Sequence, residues 1–207
     1  MLQSATSRIV LATRNRGKLR EYVGMLSTLP VRLLTLEDFR EVVDIEEVGT
    51  SFRENAVLKA TGYAAQTNLT TLADDSGLEV SVLNGAPGIL TSRYAGVGAS
   101  DSERINKLIE AISATGQSDR SARFVCAIAI FDSRSKGLQT FEGSCEGQIA
   151  LTPTGVNGFG YDPVFIPNGF QESFGSLPEI VKRKISHRAR ALDAARDYLR
   201  HLYDSHA

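Results

Sequence analysis

The 207-residue chain is short of the features that mark several protein classes. It carries two cysteines, Cys126 and Cys145, too few for the disulfide framework of a small secreted fold. Cys126 lies in the most apolar stretch and reads as a buried thiol. No cluster of Cys and His has metal-ligand spacing, which leaves no thiolate zinc site. The net charge is −1, from 23 basic and 24 acidic residues, so nothing draws the chain generally to nucleic acid or to a membrane surface. The longest wholly apolar run, residues 124–131, is too short to span a bilayer. Residues 1–7 lack the apolar core of a signal peptide. GxxxxGK[ST] and GxSxG are absent, so neither a Walker A loop nor a serine nucleophile elbow is expected. With no repeat and no low-complexity linker, the reading is a reduced, cytoplasmic protein of one domain over residues 1–207.

What is present begins with residues 72–78, LADDSGL. The adjacent carboxylates Asp74 and Asp75 sit between two segments that read as strands, 69–72 and 78–83. A buried carboxylate requires a cation or a shifted pKa, and a divalent metal would satisfy both acids. A surface turn is the alternative, because Asp, Ser and Gly all favour turns.

Further along, residues 8–13 read as a buried strand, residues 14–18 as a polar loop, and Leu19, Tyr22, Val23 and Leu26 as the face of a helix. Backbone N–H groups at that helix start, with Lys18, suit an anion; an ordinary connection is equally compatible. Asp44, Glu46 and Glu47 form an acidic cluster after a strand at 31–36. It is either a solvated loop or a source of oxygen ligands for a hard cation beside Asp75. Ser51–Glu54 is a capping box that opens a helix to about Gln66, with Phe52, Ala56, Ala60, Tyr63 and Ala64 on or near one apolar face. On it, Asn55 and Lys59 either form an exposed polar face or address a cleft. A second capping box, Ser100 to Glu103, opens a helix to about Ala114. Segments 123–132 and 138–151 read as a long hairpin.

The stretch 155–163, GVNGFGYDP, surrounds Phe159 with glycines. Such backbone admits a ligand closely, and a flanked Phe can stack on a base; a buried core Phe is the alternative. Residues 182–190, KRKISHRAR, place cations where a final helix is expected to begin. That opposes the helix dipole unless an anion binds. Ala191, Leu192, Ala195, Tyr198, Leu199 and Leu202 form that helix's apolar stripe. His201 and His206 read as surface residues. Mixed strands and helices with a hairpin imply an α/β fold with a mixed sheet.

Six stretches together resemble one family: TRNRGK (13–18), EEVGTSFRENAVLKA (46–60), ADDSGLEV (73–80), GAPGILTSRYAG (85–96), GFGYDPVF (158–165) and SHRARAL (186–192). The chain is similar to the inosine triphosphate pyrophosphatases, also called Ham1-like or RdgB-like non-canonical purine nucleotide pyrophosphatases, from Arg8 to about Leu202. The resemblance implies an elongated mixed β-sheet with flanking helices forming two lobes around a central cleft. It implies Mg²⁺-dependent hydrolysis of ITP, dITP and XTP to the monophosphate and pyrophosphate, in a homodimer. Carried over by position, Thr13, Arg14, Asn15, Arg16, Gly17 and Lys18 would hold the phosphates. Glu46 and Asp75 would serve the metal, with Asp75 as catalytic base. Ser76 would contact substrate, and Phe159, Gly160, Tyr161 and Asp162 would line the base and sugar pocket. Lys182, His187 and Arg188 would complete nucleotide recognition. The chain departs from the family pattern at Arg14, where a small residue is usual, at Val181, and at Thr91-Ser92.

Overall fold

A computed structural model describes residues 8–204. Six strands form one sheet in the order β2-β1-β3-β4-β5-β6. Strand β1 (Arg8–Leu11) leads through α1 (Arg16–Leu26) to β2 (Arg32–Thr35), which pairs with it in parallel. Helix α2 (Phe52–Thr67) then leads to β3 (Thr71–Val80), parallel to β1 on its other side. Parallel neighbours need a crossover, and each helix supplies one. Strands β4 (Ser121–Phe131) and β5 (Leu138–Ile149) follow α3 (Asp101–Ala114) and are consecutive sheet neighbours. The six residues between β4 and β5 are too few for a crossover, so they form the expected hairpin. The short β6 (Phe165–Pro167) pairs antiparallel with the end of β5. The sheet is therefore mixed, as the element pattern requires.

The chain divides into two compact units. One holds the residues up to Asp75, Ala127–Glu142 and the residues from Ala191 onward; the other holds Ser76–Cys126 and Gly143–Arg190. In the first unit, Ile9, Val10 and Leu11 of β1 are buried with Phe52, Ala56, Ala60, Tyr63 and Ala64 of α2. These α2 residues are the ones whose helical spacing marked a buried face. In the second, Leu78, Val80, Ile105, Leu108, Ile112, Phe124, Phe165 and Phe174 belong to one core cluster. Both cysteines are buried thiols outside any disulfide, as Cys126's place in β4 required. Among the described residues, no helix is long and apolar enough to cross a membrane. His201 is exposed; His206 lies outside the described residues.

Three local expectations need correction. The two strands expected on either side of the acids are one: β3 passes unbroken through Asp74–Gly77, and the alternative surface turn does not form. Local turn preference yields to burial on both faces of the strand and to ion pairing of the two acids. Second, the cations 182–184 do not open the last helix. They close a separate short helix, α4 (Glu179–Ile185), and α5 (His187–Asp204) starts after Ser186. Cations in a last turn agree with the helix dipole, so no anion is needed to explain them. Third, Ser51–Glu54 forms half a capping box. The Ser51 hydroxyl accepts the Glu54 N–H, while the Glu54 carboxylate turns to the N–H and hydroxyl of Thr50. The Ser100–Glu103 box is complete.

Candidate active site

In the first unit the chemistry gathers on β3. Side chains alternate across a strand, so Asp74 and Asp75 leave it on opposite faces and meet different helices. Asp74, 1% exposed, takes Lys18 of α1 at 3.0 Å. Asp75, 7% exposed, takes Lys59 of α2 at 3.4 Å on one oxygen and the Asn55 amide at 3.1 Å on the other. Asn55 and Lys59 lie one turn apart, so they reach the same carboxylate. Both are buried; of the two readings for that helix face, the inward one holds.

The acidic loop 42–49 is fastened to α2. Gln66 exchanges two hydrogen bonds with the Val43 backbone, and Tyr63 donates to Asp44. The Asn55 carbonyl oxygen accepts the Gly49 N–H at 2.8 Å, which fixes its amide nitrogen toward Asp75. That anchoring brings Glu47 to Lys59 at 2.6 Å. Glu46, the metal ligand implied by the family resemblance, is exposed. Burial pushes the Asp75 carboxyl above its ordinary range, against the downward pull of Lys59 and Lys18. Burial also opposes the charge on Lys59, but Asp75, Asp74 and Glu47 together hold its pKa up, so the ammonium persists.

The loop 13–18 is more self-contained than its composition implied. Asn15 caps α1, its side chain accepting the N–H groups of Gly17 at 2.8 Å and Lys18 at 3.1 Å. Those are the donors an anion would use. The Thr13 hydroxyl accepts the Asn15 N–H. Arg14 is exposed and paired with Asp44, and Arg16 opens the helix.

In the second unit a different group assembles. Phe159 is half-buried, with the Lys182 ammonium 4.7 Å and the Arg188 guanidinium 5.8 Å from its ring centre. Lys182 is also ion-paired with Asp162, and both are buried. The same Asp162 oxygen accepts the Phe159 N–H at 2.8 Å. A Cβ on Gly158, where φ is +77°, would stand 1.9 Å from that oxygen, so only glycine fits there. Gly160 donates its N–H to Asp101 at 2.7 Å. Sequence reasoning missed Asp101; its place beside a capping box gave no sign of this second role. Tyr161 is core: its hydroxyl donates to the Thr91 carbonyl, and burial pushes its pKa up. His187 stacks on Phe124 at 4.7 Å. Arg188, 1% exposed, donates to the Ser76 hydroxyl at 2.9 Å.

Among the described residues, no group of three or more His, Cys, Asp or Glu side chains forms a ready metal cage. Mg²⁺ does not need one. It is commonly held by one or two carboxylates, with substrate phosphates and water completing its octahedron. The hard oxygens of Asp75 and the neighbouring acidic loop fit that pattern.

The model of the Ham1 family matches residues 9–198. A dITP/XTP pyrophosphatase of Coxiella burnetii is 46% identical over 89% of this chain and 92% of its own. One from Geobacter sulfurreducens is 44% identical over 93% and 96%. Among solved structures, a HAM1 protein from Coxiella burnetii superposes with a TM-score of 0.86 at 45% identity, covering 94% of this chain and 98% of its own. A nucleoside-triphosphatase / dITP/XTP pyrophosphatase from Mycobacterium abscessus gives 0.73 at 38% identity, over 90% and 97%. The two buried acids on β3 and the cation-flanked phenylalanine thus sit in a chain that belongs, by sequence and by fold, to the Ham1 family.

Proposed function

We propose that the protein is a nucleoside-triphosphate pyrophosphatase that converts non-canonical purine nucleotides, ITP, dITP and XTP, to the monophosphate and pyrophosphate. The observation that carries this is the pair of adjacent buried acids, Asp74 and Asp75, each held by its own lysine. A triphosphate offers Lys18 and Lys59 a more highly charged anion than a carboxylate. The related dITP/XTP pyrophosphatases, matched over most of their length, support the substrate class.

Asp75 accepts the proton of a water aligned with the scissile anhydride bond. Asn55 fixes the carboxylate plane, and Lys59 stabilises its charged form. Thr13 to Lys18 and the Lys18 ammonium take the phosphates. Phe159 stacks on the purine, Gly160 to Asp162 shape the pocket, and Lys182, His187 and Arg188 complete recognition of base and sugar. Asp75 with Glu46, or with Glu47 beside it, would hold Mg²⁺, which when bound offsets phosphate charge. The enzyme acts as a cytoplasmic homodimer in this reading.

The test is incubation with ITP and Mg²⁺, with pyrophosphate resolved from orthophosphate. IMP and pyrophosphate in equal amounts are expected. Orthophosphate with a trapped phospho-aspartate would replace this reading by an aspartyl-phosphate phosphatase. ITP binding without turnover would make the protein a sensor. Exhaustive chelation should abolish turnover, with Mg²⁺ or Mn²⁺ restoring it better than Zn²⁺.

A further inference from the structure

Ser76 follows the acid Asp75 on β3, and its hydroxyl is held by a group from far along the chain. Arg188, in the first turn of α5, donates to that oxygen from Nη2 at 2.9 Å. The Arg188 guanidinium also lies 5.8 Å from the centre of the Phe159 ring. A guanidinium is planar, with five N–H donors in a fixed fork. A bond from one nitrogen to Ser76, with an aromatic ring nearby, constrains the plane of the group. Ser76 is half-buried and Arg188 buried, so solvent competes weakly for the bond.

We infer that Ser76 is a positioning residue for base selectivity: its hydroxyl orients the Arg188 guanidinium beside Phe159 so that Arg188 discriminates among purines. This rests on the proposed reading of Arg188 as a base-reading group and adds the residue through which that group is set. A donor facing purine position 2 accepts an oxygen there and disfavours the amino group of guanine. Without this bond the guanidinium is held less closely in that orientation, and the preference weakens while the charge still attracts the nucleotide. The bond therefore acts on the ratio between nucleotides more than on turnover of any one.

The experiment measures kcat/KM for ITP, XTP, GTP and ATP in Ser76→Ala, Ser76→Thr, Arg188→Ala and the Ser76→Ala/Arg188→Ala double variant, with thermal melting to confirm folding. Ser76→Ala should lower the ITP-to-GTP ratio about tenfold, the order expected for a hydrogen bond to a charged group. Ser76→Thr keeps the hydroxyl and suits a strand, so it should restore the ratio. In the Arg188→Ala background, Ser76→Ala should leave the ratio where Arg188→Ala put it. If Ser76→Ala does not fold, Ser76→Cys, whose sulfur is a weak acceptor, takes its place. An equal fall for all four nucleotides in Ser76→Ala overturns the inference, as does failure of Ser76→Thr to restore the ratio. Additive losses in the double variant also overturn it, because Ser76 would then read the substrate directly. A ratio unmoved by Arg188→Ala removes the base-reading role itself; the other failures leave that role standing.

Discussion

The two compact units treat buried positive charge differently. In the unit that carries β1, Lys18 and Lys59 are answered by carboxylates, Asp74 for one and Asp75 with Glu47 for the other. In the unit that carries α4, the Lys182 ammonium meets the Asp162 carboxylate and also faces aromatic rings, Phe159 at 4.7 Å and Phe174 at 5.7 Å. The Arg188 guanidinium donates to the Ser76 hydroxyl and lies 5.8 Å from the centre of the Phe159 ring. Carboxylates can be exchanged for phosphates of higher charge; aromatic faces bind cations and flat rings alike. The first arrangement suits a charged chain of phosphates, the second a neutral heterocycle.

That contrast can be broken most sharply at Asp75. Asp75→Asn keeps an oxygen for Asn55 and removes the base, so kcat for ITP should fall at least ~10²-fold, with the ITP-to-GTP ratio unchanged. Near-normal turnover by the folded variant would end the assignment. Next in size is the buried pair of the other unit. Lys182→Met leaves the Asp162 carboxylate without its lysine and should cost about 3 kcal/mol in urea unfolding, the scale for breaking a buried ion pair. A cost near zero would mean that the aromatic setting, not the pair, holds the loop 158–162.

A smaller effect separates stacking from reading. Phe159→Ala should weaken all purine nucleotides alike, because stacking accepts every base. Arg188→Ala should narrow the ITP-to-GTP ratio about tenfold, as loss of a charged hydrogen bond would. Equal losses across ITP, XTP, GTP and ATP in both variants would erase the distinction. The smallest effect contrasts two acids of one unit. Burial pushes Asp75 up, whereas Asp132 is held down. Burial opposes the Asp132 charge too, but the Ser135 hydroxyl, the N–H groups of Arg134 and Ser135, and the Thr70 hydroxyl hold its pKa below the ordinary value. A depressed folded pKa stabilises the fold above the unfolded value of about 3.9 and loses that contribution as pH falls through the folded value. Asp132→Ala should therefore cost about 1 kcal/mol near neutrality, and the difference from the parent should shrink as pH falls below the unfolded value of about 3.9. A cost independent of pH would assign the effect to the turn backbone.

Much of the fold was legible because its signals are local. The Ser100–Glu103 box, the periodicity of α2, and the apolar run of β4 each sit within a few residues. The candidate site was legible as a set of residues. Asp75, Lys18, Phe159, Lys182 and Arg188 were all singled out, as were Asn55, Lys59, Asp74, Asp162 and Ser76, but which of them pair was not, since pairing across tens of residues leaves no local trace. Asp74–Gly77 read as a break between two strands because the lysines that let β3 run through it come from α1 and α2. The break at Ser186 was hidden by a continuous basic run, which concealed that Lys182 belongs to the end of one helix and Arg188 to the start of another. Asp101 looked like an ordinary first-turn acid, although its carboxylate reaches the loop of Phe159 across 59 positions.

The unbroken passage of β3 through Asp74, Asp75 and Ser76 bears on how this chain can vary over time. A loop tolerates insertion and deletion, but one residue gained or lost in a paired strand turns every following side chain to the opposite face. Here that single step would take Asp75 from Lys59, or Ser76 from Arg188. Diversification at this place is therefore confined to substitution at fixed length, and new specificities must come by exchanging side chains rather than by remodelling the strand.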